Sequence, residues 1–166
     1  MSESNIDFVV FDDSGLLSLV DCNSYASFVS ADWTYESIVE HFKQQMRLGS
    51  ILVWHCGDGG GPYSIRVRKS FTDQGGFREV TGSIVATTGR LHLVSYDALA
   101  MAAQFEDETL PSKHEVDLGF GVSPGSYRVR IVQTFDPDRT SETPAPDFLI
   151  EIEPGQAPQL GMPAWL

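Results

Sequence analysis

The densest group of reactive side chains in this chain is His55-Cys56, followed by Asp58 inside the run Gly57-Asp58-Gly59-Gly60-Gly61-Pro62. Imidazole, thiolate and carboxylate are the groups that hold divalent metals, and His41, His92 and His114 are available elsewhere. The spacing argues against a metal centre. A zinc site is written as spaced Cys/His pairs, a cupin-like site as paired histidines with a carboxylate, and in a regular strand His55 and Cys56 point to opposite faces. No metal and no cofactor is predicted. The glycine run resembles a phosphate cradle only superficially. That chemistry needs a helix N-terminus after the glycines, whereas Pro62 and an alternating strand follow, and the Lys-Ser/Thr ending of a nucleotide-binding loop is absent. The run reads as a hairpin loop whose glycines supply positive φ. His55 and Asp58 beside it mark the pocket of an alternative reading, a small-molecule-binding domain or an enzyme of unrecognised type.

Nucleophilic catalysis has no better support. No Gly-x-Ser-x-Gly elbow is present, and a cysteine with a distant histidine occurs in almost any chain. Neighbouring carboxylates such as Asp12-Asp13 and Glu106-Asp107-Glu108 could do acid–base work only if desolvation raised one of them, and an exposed carboxylate stays ionised. No catalytic residue is assigned. The same carboxylates fit recognition better. Net charge is −12, from 23 Asp and Glu against 11 Lys and Arg, and the acids come in stretches. Residues 1–40 hold Glu3, Asp7, Asp12, Asp13, Asp21, Asp32, Glu36 and Glu40 and no Lys or Arg. A second stretch carries Asp97, Glu106, Asp107, Glu108, Glu115 and Asp117, relieved by Lys113. A third carries Asp136, Asp138, Glu142, Asp147, Glu151 and Glu153, relieved by Arg139. Acidity alone suits solubility, as in many bacterial cytosolic proteins. Stretches converging on one face would meet a cationic protein. Asp12, Asp13, Glu106, Asp107 and Glu108 are the predicted contacts. Such a field repels nucleic acid and anionic lipid, so neither is expected as a partner.

These residues must be positioned by a chain of 166 residues, 42% of them apolar, which suffices for one packed core. The start, Met1-Ser2-Glu3-Ser4-Asn5, is not a secretory signal, and no window nears the ~18 apolar residues of a membrane span. A cytoplasmic location follows, with Cys22 and Cys56 as reduced thiols that pack as small hydrophobes.

One stretch has clear helical period, about 34–48: Ile38, Phe42 and Met46 recur at i, i+4 and i+8, with Asp32 or Thr34 to cap it and Gly49 to end it. A short helix at about 97–105 is predicted behind Asp97. The rest reads as strands. Residues 6–12 and 16–22 form an N-terminal hairpin around Asp12-Asp13-Ser14-Gly15. Residues 51–56 and 63–67 form another around the glycine run, and 83–87 and 91–96 are joined at Thr88-Gly89-Arg90, with His92 on the surface. Strands at 116–122, 127–133 and 148–152 follow, the last after a loop 136–146 with three prolines. The expected class is mainly β (α+β): an antiparallel β-sandwich with one amphipathic helix and one short helix. It forms one domain over 1–153, followed by a tail, 154–166. That apolar tail, with Leu160, Met162, Trp165 and Leu166, folds back on the sheet or docks on a second copy to make a homo-oligomer.

The run ending at Trp54, the glycine loop, Tyr63 to Val67, Gly82-Ser83-Ile84, and Leu110-Pro111 leading to Val122-Ser123-Pro124-Gly125-Ser126-Tyr127-Arg128-Val129 together resemble small bacterial nuclease-inhibitor proteins of the competence type. The likeness spans residues 50–135 and leaves the helix at 34–48 and the tail without counterparts. It implies an acidic β-sandwich that binds and silences a basic nuclease. The expected function is therefore that of a non-catalytic binding protein, an inhibitor or immunity protein presenting an acidic surface to a cationic protein partner.

Overall fold

In the computed structural model, which describes residues 5–138 and 146–166, the strands sort by how many of their faces are apolar. Leu16–Val20 (β2), Ile51–His55 (β3) and Arg90–Ser95 (β6) are mostly apolar and are buried at successive positions, on both parities. They can be satisfied only inside a sheet covered on both sides. With Gly119–Gly121 (β7) they make an antiparallel sheet of order β3-β2-β6-β7. Its outer face is covered by the helices Tyr35–Arg47 (α1), which packs on β3, and Tyr96–Gln104 (α2), which packs on β2 and β6. Ile6–Val10 (β1), Tyr63–Arg68 (β4), Arg78–Ala86 (β5), Gly125–Gln133 (β8) and Phe148–Pro154 (β9) form the second sheet, in order β1-β4-β9-β8-β5. In this sheet Tyr63, Ile65 and Val67 of β4 point inward and Ser64, Arg66 and Arg68 outward, the period-2 pattern of a sheet with one wet face. The two sheets face each other across one apolar core, with ring contacts Trp54–Phe148 at 6.0 Å and Phe8–Phe120 at 6.2 Å.

The mainly β class and both helices are as expected; the pairing is not. β1 and β2 do not form a hairpin: β1 pairs with β4 and β2 with β3 and β6. The turns at 12–15, 57–62 and 87–89 each carry the chain from one sheet to the other, so β3–β4 and β5–β6 are not hairpins either. The glycines do serve tight backbone: Gly57 has φ +106°, and a Cβ there would lie 2.6 Å from Pro137. The sheets are not wholly antiparallel, because β4 and β9 run parallel. Residues 116–118 form a single 3₁₀ turn before β7 rather than the start of a strand.

The capping of α1 is a reciprocal box between Thr34 and Ser37, while α2 is capped by Ser95, leaving Asp97 in its first turn where a carboxylate suits the helix dipole. His92 is buried instead of exposed, because its ring lies over Gly119 of β7; burial, with Arg90 nearby, pushes its pKa down. The tail is irregular but held. Ala164 accepts a hydrogen bond from the His55 amide and donates to Val53 O, both at 2.9 Å, covering the free edge of β3, and Trp165 stacks 4.4 Å from the Arg78 guanidinium. No described helix is long and apolar enough to cross a membrane.

Candidate functional site

What each carboxylate touches separates the acidic stretches. On the outer face of the five-stranded sheet, acids and arginines stand opposite one another in register: Asp7 against Arg66, Glu151 against Arg130, Glu153 against Arg128. Arg66 donates to Asp7 at 2.8 Å, Arg130 donates to Glu151 at 2.6 Å and also to Glu79, and Arg128 pairs with Glu153. The segment 70–76 straps over this face. The Thr72 amide donates to Glu151 at 3.1 Å, and Arg130 donates to the Gln74 carbonyl at 2.7 Å. Burial pushes the Glu151 carboxyl up, but the hydrogen bonds from Thr72 and Arg130 outweigh it and hold the group below the usual carboxylate range.

The acids on this sheet therefore contribute far less negative surface than composition suggests, while Asp13, Asp32, Glu36 and Glu40 of the first stretch stay exposed. Asp21 is buried, and Asp147 accepts from the Ser64 amide at 2.8 Å. Glu3, Arg139 and Glu142 lie outside the described residues. The second stretch differs. Asp97, Glu106, Asp107, Glu108 and Asp117 are exposed, and none forms an ion pair among the described residues.

That stretch frames a groove of about 620 Å³ between the end of β1, the first turns of α2 and the segment 108–118. The walls include Val9, on the outward parity of β1, and Phe11, just past its end, which are 54% and 70% exposed, and Met101 of α2 at 48%. Asp97, Glu108, Lys113 and His114 also line the groove. Ser95 and Glu115 contribute to its lining from buried positions. Glu115 is 8% exposed, and its two oxygens share the Ser95 amide at 3.3 and 3.4 Å. Burial pushes its carboxyl above the usual range, hydrogen bonds from the Ser95 hydroxyl and amide oppose this in part, and the charges of Asp97 and Asp12 add to the rise. A second hollow of about 320 Å³ beside β1 is lined by Asp7 and Arg66, whose charges already satisfy each other.

Of the residues singled out in the sequence, Glu108 lines the groove, and Glu106 and Asp107 are exposed next to it. Asp12 cannot be a surface contact. It is 1% exposed, and its carboxylate closes the 12–15 turn, accepting from the Ser14 amide and hydroxyl and from the Gly15 amide at 2.7 Å. Asp13 is exposed at that turn and does not line the groove. His55 and Asp58 approach to 3.7 Å, but Asp58 is fully solvated and neither lines either cavity. Among the described residues no three His, Cys, Asp or Glu are grouped to hold a metal, and both cysteines are free thiols. Sequence reasoning missed Val9, Phe11, Met101 and Glu115. The signal for the first two was present: an alternating strand that carries apolar side chains on both parities must leave some of them uncovered if it lies at an edge.

In overall fold the chain is similar to two solved structures. One, described as crocagin biosynthetic gene J, has a TM-score of 0.62 and 19% identity, covering 94% of this chain and 100% of that one. The other is ComJ from Bacillus subtilis, an inhibitor of the DNA-degrading activity of NucA. It has a TM-score of 0.55 and 16% identity, covering 93% of this chain and 100% of that one. The resemblance to nuclease-inhibitor proteins thus holds at the level of fold, and over nearly the whole chain rather than residues 50–135 alone. No protein-family model matches the sequence, and no curated protein matches it.

Proposed function

We propose that this protein is a cytoplasmic, non-catalytic inhibitor-like binding protein whose partner is a cationic protein, met by the α2 face and the segment 105–118. One observation carries the reading: the acids of this segment stand unpaired around exposed apolar side chains, while those of the five-stranded sheet are neutralised in place. Apolar anchors inside a rim of one sign are what an interface needs for affinity and for charge selection together. The fold shared with ComJ, an inhibitor of a DNA-degrading nuclease, supports a partner of the nuclease kind.

The test is a fluorescence assay of DNA degradation by NucA and by the nucleases of the organism that carries this gene, titrated with the purified chain. Calorimetry on any responsive pair is run at 50 and 300 mM salt. Stoichiometric suppression of a basic nuclease, with affinity falling about tenfold or more over that salt range, is expected. A responsive partner that is itself acidic, an affinity indifferent to salt, or no suppression of any nuclease would overturn the reading.

A further inference from the structure

Glu115 is the least satisfied charge at the groove. A carboxylate can accept about four hydrogen bonds, and this one has a single partner residue, Ser95, whose amide is shared between its oxygens at the long end of the range and whose hydroxyl adds to it. No cation lies within ion-pair distance of it among the described residues. Yet it is more than nine-tenths buried and lines the cavity. A buried anion without a counter-charge weakens the fold that holds it. Its other charged or titratable surroundings are Asp97, Glu108, Asp12, Cys22, Lys113 and His114, so carboxylates outnumber the one ammonium. The walls beside it are apolar: Phe11, Met101, Val9 and Leu118.

We infer that the groove is the receptor for an arginine side chain of the partner, its guanidinium set against Glu115 and its methylene stem lying along Phe11 and Met101. This rests on the proposed reading of the protein as a binder of a cationic partner and names the group that is read. Guanidinium fits better than ammonium for three reasons. Its planar fork matches the two oxygens of one carboxylate, it sheds water more readily on entering a half-closed site, and it stacks on an aromatic ring such as Phe11.

The probe is n-butylguanidinium, with n-butylammonium as the lysine counterpart and n-butylurea as the neutral isostere, titrated into the ¹⁵N-labelled full chain and followed by amide shifts. Millimolar binding of butylguanidinium is expected, with shifts centred on Ser95, Ala98 and Glu115. Butylammonium should bind several-fold more weakly and butylurea not measurably. Glu115→Gln, which keeps the shape and removes the charge, should weaken butylguanidinium about tenfold. Phe11→Ser, at a side chain outside the core, should weaken it about threefold and tests the stacking half of the inference separately.

Shifts scattered over the acidic surface, equal binding of the urea, or unchanged binding in both variants would overturn the inference. The two readings fail separately. A basic nuclease bound as tightly by Glu115→Gln as by the parent chain removes the arginine site and leaves the proposed function standing. Groove binding of butylguanidinium without any cationic protein partner does the reverse.

Discussion

Replacing Glu151 by alanine removes the anion on which the outer face of the five-stranded sheet is built. Glu151 is fully buried and takes hydrogen bonds from Arg130 Nη1 at 2.6 Å, from the Thr72 amide at 3.1 Å and from the Thr72 hydroxyl, with Arg68 at 3.6 Å. Without it, Arg130, itself buried, keeps only the half-exposed Glu79 and the carbonyls of Thr72 and Gln74. Breaking a buried pair from one side costs roughly 3–5 kcal/mol. The remaining partners of Arg130 place the expected loss near the lower end, about 3 kcal/mol.

With an unfolding entropy of about 2.1 cal/mol/K per residue, that lowers Tm by about 9 °C. Urea denaturation and thermal circular dichroism at pH 7 measure it. The double variant Glu151→Met with Arg130→Met should recover most of the loss, because two apolar side chains leave no orphaned charge under the 70–76 strap. The sign with pH is fixed by the direction of the Glu151 shift. Its folded-state pKa lies below the unfolded one, so its contribution is present above the usual carboxylate range and disappears as pH falls through the folded value. A single-variant loss under about 1 kcal/mol, or a double variant as unstable as the sum of the singles, would refute the reasoning.

Three further outcomes follow. Glu115→Gln should raise Tm at neutral pH and have little effect at low pH. Its folded-state pKa is raised, so the stability linked to protonation is present at low pH and lost as pH rises through the folded value; paired melts across pH 4–8 read the difference. Removal of residues 161–166 takes away both Ala164 hydrogen bonds and the Trp165–Arg78 stack, and should destabilise by about 2–3 kcal/mol in urea. If the tail also joined two copies, light scattering would show a mass that falls by half; an unchanged mass is expected, because the tail is already seated on its own chain. Burial pushes the thiols of Cys22 and Cys56 up to about 12, so alkylation by iodoacetamide at pH 8 should be slow in the native protein and fast in urea.

The elements were readable where one residue pattern decides one local structure. The stripe Ile38, Phe42, Met46 places α1, and the alternation in Tyr63–Arg68 places a strand with one wet face. Pairing was read as hairpins because short turns join the strands. Apolar count per face is the better guide. Leu16-Leu17-Ser18-Leu19-Val20 has no polar parity, so it belongs in a sheet covered on both sides and cannot share a half-wet sheet with β1. The candidate site was half legible. Charge order along the chain exposed the 97–117 stretch but could not show that Asp7, Glu151 and Glu153 meet arginines, since those contacts join residues far apart in sequence. Asp12 looked like surface and proved to be a turn-closing group, and Glu115 looked ordinary because burial is not written in residue type.

Strand β9, later in the sequence than every strand it pairs with, sits in the middle of its sheet, between β4 and β8, not at a rim. During synthesis, β4 and β8 must wait with bare hydrogen-bonding sides until Phe148–Pro154 leaves the ribosome, because the strand that closes both is made after both. Chains stalled before β9 would therefore be sticky in a way the folded molecule is not, and demand for holding chaperones should be concentrated between the emergence of β8 and that of β9.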